Sequence, residues 1–195
     1  MKKHHLISCP IFTKELAAVL SQNMPRTIVK LLDYRVHFSA EVMAQEVAKN
    51  VAMAEGEEAD ISFLVGRECE SLQPLSSIAD GCGGMLPDGL NCIEMILGRG
   101  KALELQENRS TVMTPAWIEM ITNSIADGHW SVDDARINLG HYDRIILLDF
   151  GLEPLADEMI LEFFELTQVP IEILPVTLDH FSQVVDKLLL KDHSY

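Results

Sequence analysis

Arg144-Ile145-Ile146-Leu147-Leu148-Asp149 is an uninterrupted apolar run between charged residues, the pattern typical of a strand that is buried on both faces. Apolar residues at helical spacing follow it directly, at Leu155, Met159, Ile160, Phe163 and Phe164. A buried strand followed by an amphipathic helix is half of a βαβ unit, so this stretch predicts an α/β protein.

The rest of the chain repeats this alternation. Further strands are predicted at residues 6–9, 61–65, 111–113 and 171–174, and helices are predicted after Thr13, Ser39, Pro115 and either Thr177 or Asp179. Residues 70–90 are rich in Gly, Ser and Pro, which predicts a loop with a short strand at Met85-Leu86. We therefore expect one three-layer α/β domain over residues 1–195, with a mostly parallel sheet and helices on both faces.

Composition excludes several classes of function. The net charge is −15, so the surface repels phosphate backbones and nucleic-acid binding is disfavoured. No apolar segment is long enough for a membrane span or a signal peptide, so a cytoplasmic protein with reduced thiols is expected.

Three cysteines fall where an α/β protein places its ligands. Cys9 ends the first apolar run, Cys69 follows the run at 61–65, and Cys92 opens a predicted helix. His37 lies just before the Ser39 cap, where a neutral imidazole can bind a metal. Together they predict a metal site for zinc or an iron–sulfur cluster. The alternative is that each cysteine is a small buried apolar residue, which is common for any one of them alone.

Two further residues are candidates for contact with a cofactor. Cys82 lies in Gly81-Cys82-Gly83-Gly84, where glycines allow a ligand close to the backbone, although a flexible surface loop is the slightly favoured interpretation. Trp117 follows Thr114-Pro115-Ala116 and either walls a pocket or packs in the core.

With these segments placed, the chain resembles a family known only as a domain of unknown function, family 1638. That family is common in methanogens and anaerobic bacteria, and its genes often lie near those of corrinoid-dependent methyltransferases. The segments that carry the resemblance are Ser8-Cys9-Pro10, Glu15-Leu16, Val36-His37, the stretch from Val65 to Glu70, Asn91-Cys92-Ile93 with Leu97-Gly98, Met113 to Trp117, and Tyr142-Asp143-Arg144. The sequence departs from the family pattern beside the thiols, where Pro10, Glu70 and Asn91 replace Gly, Gly and Asp.

The resemblance implies a setting in anaerobic one-carbon or corrinoid metabolism. The first hypothesis is a metal-binding factor for methyl transfer or for a corrinoid protein, with a corrinoid protein or methyltransferase as its partner. The alternative is a non-catalytic module that binds a corrinoid methyltransferase or its partner through an acidic face.

Overall fold

The computed structural model describes residues 3–20, 27–67, 75–89 and 91–190. In chain order its elements are β1 (His4–Ser8), α1 (Thr13–Leu20), β2 (Thr27–Leu31), α2 (Ala40–Gly56), β3 (Asp60–Leu64), α3 (Leu75–Cys82), α4 (Cys92–Leu97), α5 (Arg99–Leu105), β4 (Ser110–Met113), α6 (Pro115–Ala126), α7 (Val132–Leu139), β5 (Arg144–Asp149), α8 (Asp157–Thr167), β6 (Ile171–Pro175) and α9 (Asp179–Leu190). Short 3₁₀ helices at Pro10–Phe12 and Tyr34–His37 follow β1 and β2.

The predicted α/β class is confirmed. Helices alternate with strands, and every strand pairing in the described residues is parallel. The strands form two three-stranded sheets, in the orders β2-β1-β3 and β4-β5-β6, where one sheet was expected. The chain divides accordingly into two compact units, Met1–Gly98 with Leu178–Tyr195, and Arg99–Thr177. The single domain over residues 1–195 stays a prediction.

One part of the core of the first unit lies between α2 and one face of the sheet. Ile7 of β1 and Phe63 of β3 are fully buried there against apolar residues of α2, such as Met43 and Val47. α4 ends at Leu97, and the φ of +78° at the following Gly98 is a backbone conformation that favours glycine.

The C-terminal helix α9 completes the first unit. The ring centroids of Phe12 and Phe181 lie 5.0 Å apart, and both side chains are fully buried. The Ser62 hydroxyl on β3 donates to the Leu188 carbonyl oxygen at 2.9 Å. The stability of the N-terminal sheet therefore depends on residues from the far end of the chain.

The second unit buries the stretch that opened the sequence analysis. Ile145 and Leu147 of β5 are fully buried against Phe163 of α8 and Ile118 of α6. In the parallel pairing of this sheet, Leu147 of β5 lies opposite Met113 on β4 and opposite Ile173 on β6.

One local prediction needs correction, and one strand was not predicted. The loop predicted over residues 70–90 contains α3, because Ile78, Ala79 and Cys82 recur at helical spacing and pack on the core of the first unit. The strand predicted at Met85-Leu86 is present as a parallel bridge from Met85 to Ser62. No strand is predicted from the sequence at β2, since its residues are only partly buried and carry no continuous apolar run.

Among the described residues, no helix combines the length and the apolar character needed to cross a bilayer.

Candidate functional site

The topology of the first unit marks one edge of its sheet as the place for a ligand. The chain leaves β1 for β2 on one side and then returns past β1 to β3 on the other. In open parallel sheets, ligands bind beyond the carboxyl ends of the strands at the point where the strand order reverses in this way. That switch point lies between the ends of β1 and β3, and Cys9 is the first residue after β1.

The backbone holds Cys9 firmly at this edge. Its N–H donates to the Leu64 carbonyl oxygen at 3.1 Å, which ties it to the end of β3. Its own carbonyl oxygen accepts from the Ser8 hydroxyl at 3.1 Å and from the Phe12 N–H at 3.2 Å. The residue is 4% exposed, so its thiol is shielded from bulk water.

His37 reaches the same place from the end of β2. The Leu32 N–H donates to the Ser8 carbonyl oxygen at 2.9 Å, and Asp33 then caps the 3₁₀ helix by accepting from the Arg35 N–H at 2.9 Å. Val36 is fully buried in the core and fixes the last turn, which ends at His37.

Cys9 and His37 form a thiol–imidazole pair. The Cys9 Sγ and His37 Nε2 atoms lie 3.1 Å apart, within hydrogen-bond distance, and the tautomer of the ring decides which atom donates. Burial lowers the pKa of His37 from 6.5 to about 4, because the charged ring would lose its hydration. At neutral pH the imidazole is therefore uncharged, which is the form that binds metals.

Cys92 lies at the same edge by topology. Met85 runs parallel to β3, and the Arg67 N–H donates to the Gly89 carbonyl oxygen at 3.4 Å, beyond the end of that strand. Two residues later Asn91 caps α4, its side-chain oxygen accepting from the Glu94 N–H at 3.0 Å. Cys92 is the first residue of that helix and is partly buried.

The structure brings two of the four predicted metal ligands together. It brings Cys9 and His37 into contact, but Cys69 lies outside the described residues. Within the described part of the chain, no three His, Cys, Asp or Glu side chains are grouped closely enough to hold a metal ion. The set of Cys9, His37, Cys69 and Cys92 therefore stays a prediction.

The two predicted cofactor contacts lie in different units. Cys82 ends α3, where its Sγ donates to the Ala79 carbonyl oxygen at 3.6 Å and its side chain packs on the core of the first unit. The Trp117 N–H donates to the Thr114 hydroxyl at 3.4 Å, and the indole packs against the core of the second unit. Both residues thus have packing roles, and their contact with a cofactor stays a prediction.

Two buried carboxylates are new candidates at this edge. Glu15 is 2% exposed and Glu94 is 6% exposed, and each lies in the first turn of a helix, α1 or α4, that begins beyond the carboxyl ends of the strands. Carboxylates in such places hold metal ions or orient ligating histidines. In the sequence, Glu15-Leu16 has the pattern of an ordinary amphipathic helix, in which a glutamate is expected to be exposed. Only the structure shows that Glu15 is buried.

Fold and geometry define a class of protein: a parallel α/β protein with a thiol–imidazole pair at the switch point of its first sheet. The chain belongs to the family described as "Protein of unknown function (DUF1638)", whose sequence profile matches residues 31–185. The match includes His37, Cys69 and Cys92, while Cys9 precedes it. No curated protein matches the chain.

Proposed function

We propose that this protein binds a transition-metal ion through Cys9, His37, Cys69 and Cys92. The observation that carries the proposal is the contact of the Cys9 thiol with a neutral imidazole at the switch point of a parallel sheet. A thiol and an uncharged imidazole are two ligand types that zinc sites combine.

The distance between the two donor atoms suits a shared ion. Zn–S and Zn–N bonds of about 2.3 and 2.0 Å at a tetrahedral angle separate the donor atoms by about 3.5 Å. The Sγ–Nε2 distance of 3.1 Å is slightly shorter, so a small side-chain rotation admits the ion. Loss of the thiol proton on binding supplies the negative charge that a divalent cation requires.

Zinc and an iron–sulfur cluster make different use of the ligands. Three cysteines and one histidine complete a four-coordinate zinc site. A cluster bound by the three thiolates would leave an open position, and iron would then replace zinc in the purified protein.

The setting that we propose is cytoplasmic anaerobic one-carbon or corrinoid metabolism. There the protein would act as a methyl-transfer factor or as an accessory to a corrinoid protein, and the family resemblance is the support for this part. A metal-held thiolate is a suitable acceptor for a methyl group, since the metal keeps the sulfur deprotonated at neutral pH.

Metal analysis of anaerobically purified protein tests the proposal. We expect about one zinc per chain, or a cluster detected by its iron content and visible absorbance. Cys9→Ser, His37→Ala and Cys92→Ser should each lower the metal content, because each removes one ligand.

Matched controls separate ligand loss from general damage. Cys82→Ser removes a thiol that packs on the core, and His129→Ala removes an exposed imidazole from the second unit. Both control proteins should keep their metal. Full metal content in Cys9→Ser and His37→Ala would refute the site, and equal losses in the controls would show that the effect is not specific to it.

A further inference from the structure

The outer face of α8 carries an exposed apolar pair. Leu161 is 61% exposed and Phe164 is 40% exposed, and their spacing of three residues puts them on one side of the helix. Phe163 and Thr167 are buried on the other side and attach α8 to the core of the second unit. Leu161 and Phe164 are therefore not needed to pack α8 on the core of the second unit.

Carboxylates surround this pair. α8 contains Asp157, Glu158, Glu162 and Glu165 and no basic residue. Across the described ranges, none of these four carboxylates is within ion-pair distance of a lysine, arginine or histidine nitrogen. We call Asp157, Glu158, Leu161, Phe164 and Glu165 the α8 outer face. Exposed apolar groups with a polar rim are characteristic of protein-binding surfaces.

We propose that the α8 outer face binds a partner protein through a helical segment whose apolar side chains are flanked by Lys and Arg. Leu161 and Phe164 supply the apolar anchor, as in the packing of one amphipathic helix on another. The unpaired carboxylates supply the charge complement, which steers a basic segment towards the face and repels acidic ones.

The same charges argue against the other occupants. A second copy of this chain would bring two rows of carboxylates together, and such like-charge contacts are costly. The surface of an anionic membrane would be repelled for the same reason. The inference is independent of the proposed metal site, whose ligands all belong to the first unit.

A designed peptide tests the chemistry of the face. The probe is a fluorescein-labelled synthetic helix of about 18 residues, long enough to be helical when bound, with Leu at i, i+3 and i+4 spacing and Lys beside the Leu stripe. A second peptide has Glu in place of every Lys. Fluorescence anisotropy against the full chain should show binding of the Lys peptide and weakening with salt, and no binding of the Glu peptide.

Substitutions locate the binding. The double change Leu161→Gln and Phe164→Gln should weaken the Lys peptide about tenfold, since it removes the buried apolar contact. Ile137→Gln is the matched control: Ile137 on α7 is 74% exposed, so the same kind of apolar loss there should leave the affinity unchanged. Glu165→Lys should weaken binding of the Lys peptide and reduce its dependence on salt, which tests the face even if the double variant folds poorly.

Several results would overturn the proposal. Equal binding of the Lys and Glu peptides, or equal losses in the α8 and Ile137 variants, would show that the face is not specific. A dimer in sedimentation equilibrium that Leu161→Gln dissolves would assign the face to a second copy. Cosedimentation with phosphatidylserine vesicles that Leu161→Gln abolishes would assign it to a membrane.

Discussion

Acidification of the metal-free protein should destabilise it through His37. The pKa of His37 is lowered from 6.5 to about 4 in the folded protein, because burial disfavours the charged ring. As the pH falls below 6.5, the unfolded chain takes up a proton at this residue while the folded chain does not. Stability is therefore present above pH 6.5 and is lost as the pH falls towards 4.

The magnitude follows from the two pKa values. The linkage relation gives a loss of about 2 kcal/mol in the free energy of unfolding between pH 7 and pH 5, and about 3 kcal/mol once both states are protonated. A change of that size is a large part of the 5–15 kcal/mol that is typical of a small domain.

Urea denaturation at pH 7 and pH 5, with a chelator present, measures this loss. His37→Gln is the control, since an amide can contact the Cys9 thiol but does not titrate. Other histidines and carboxylates contribute equally to both proteins and cancel in the comparison. The wild type should lose about 2 kcal/mol more than the variant on acidification. Equal losses in the two proteins would refute the assignment of a buried, neutral imidazole at this position.

Five further substitutions, two of them controls, test core packing and helix capping. Phe181→Ala should lower the free energy of unfolding by about 3–5 kcal/mol because the ring is fully buried, whereas Phe164→Ala on an exposed face should change it by under about 1 kcal/mol in urea denaturation. Gly84→Ala would place a methyl group 2.5 Å from a buried aromatic carbon and should cost about 1–3 kcal/mol, while Gly81→Ala, with open space around it in α3, should be neutral or stabilising by thermal denaturation. Ser131→Ala removes the capping box of α7 and should cost about 1 kcal/mol, detected by thermal denaturation; an unchanged melting temperature would contradict the role of the cap.

The sequence alone determined the class of fold and most of the strands. The strands β1, β3 and β5 each contain adjacent buried apolar residues, which are Leu6-Ile7, Phe63-Leu64 and the run from Ile145 to Leu148, so the local pattern identifies them without knowledge of their neighbours. The same reasoning placed Cys9 at the end of a strand and Cys92 at the start of a helix, since both positions depend only on nearby residues.

Other local elements were not predicted because their sequence patterns are weak. The edge strand β2 lacks a continuous apolar run, and the apolar spacing of α3 is obscured by glycine and serine. The charge of α8 was readable from its sequence. The exposure of Leu161 and Phe164 was not, because only the packed helix shows which side faces the core.

Only the tertiary structure decided which distant residues meet. Cys9 and His37 are 28 residues apart, and their contact depends on the parallel pairing of β1 with β2. The lowered pKa of His37 comes from the burial of its ring in the folded protein. The division into two sheets, and the return of α9 to the first unit, likewise depend on long-range packing. A local pattern fixes which residues form a strand or a helix, whereas the neighbours of that element are selected by the free energy of burying its surface against the rest of the chain.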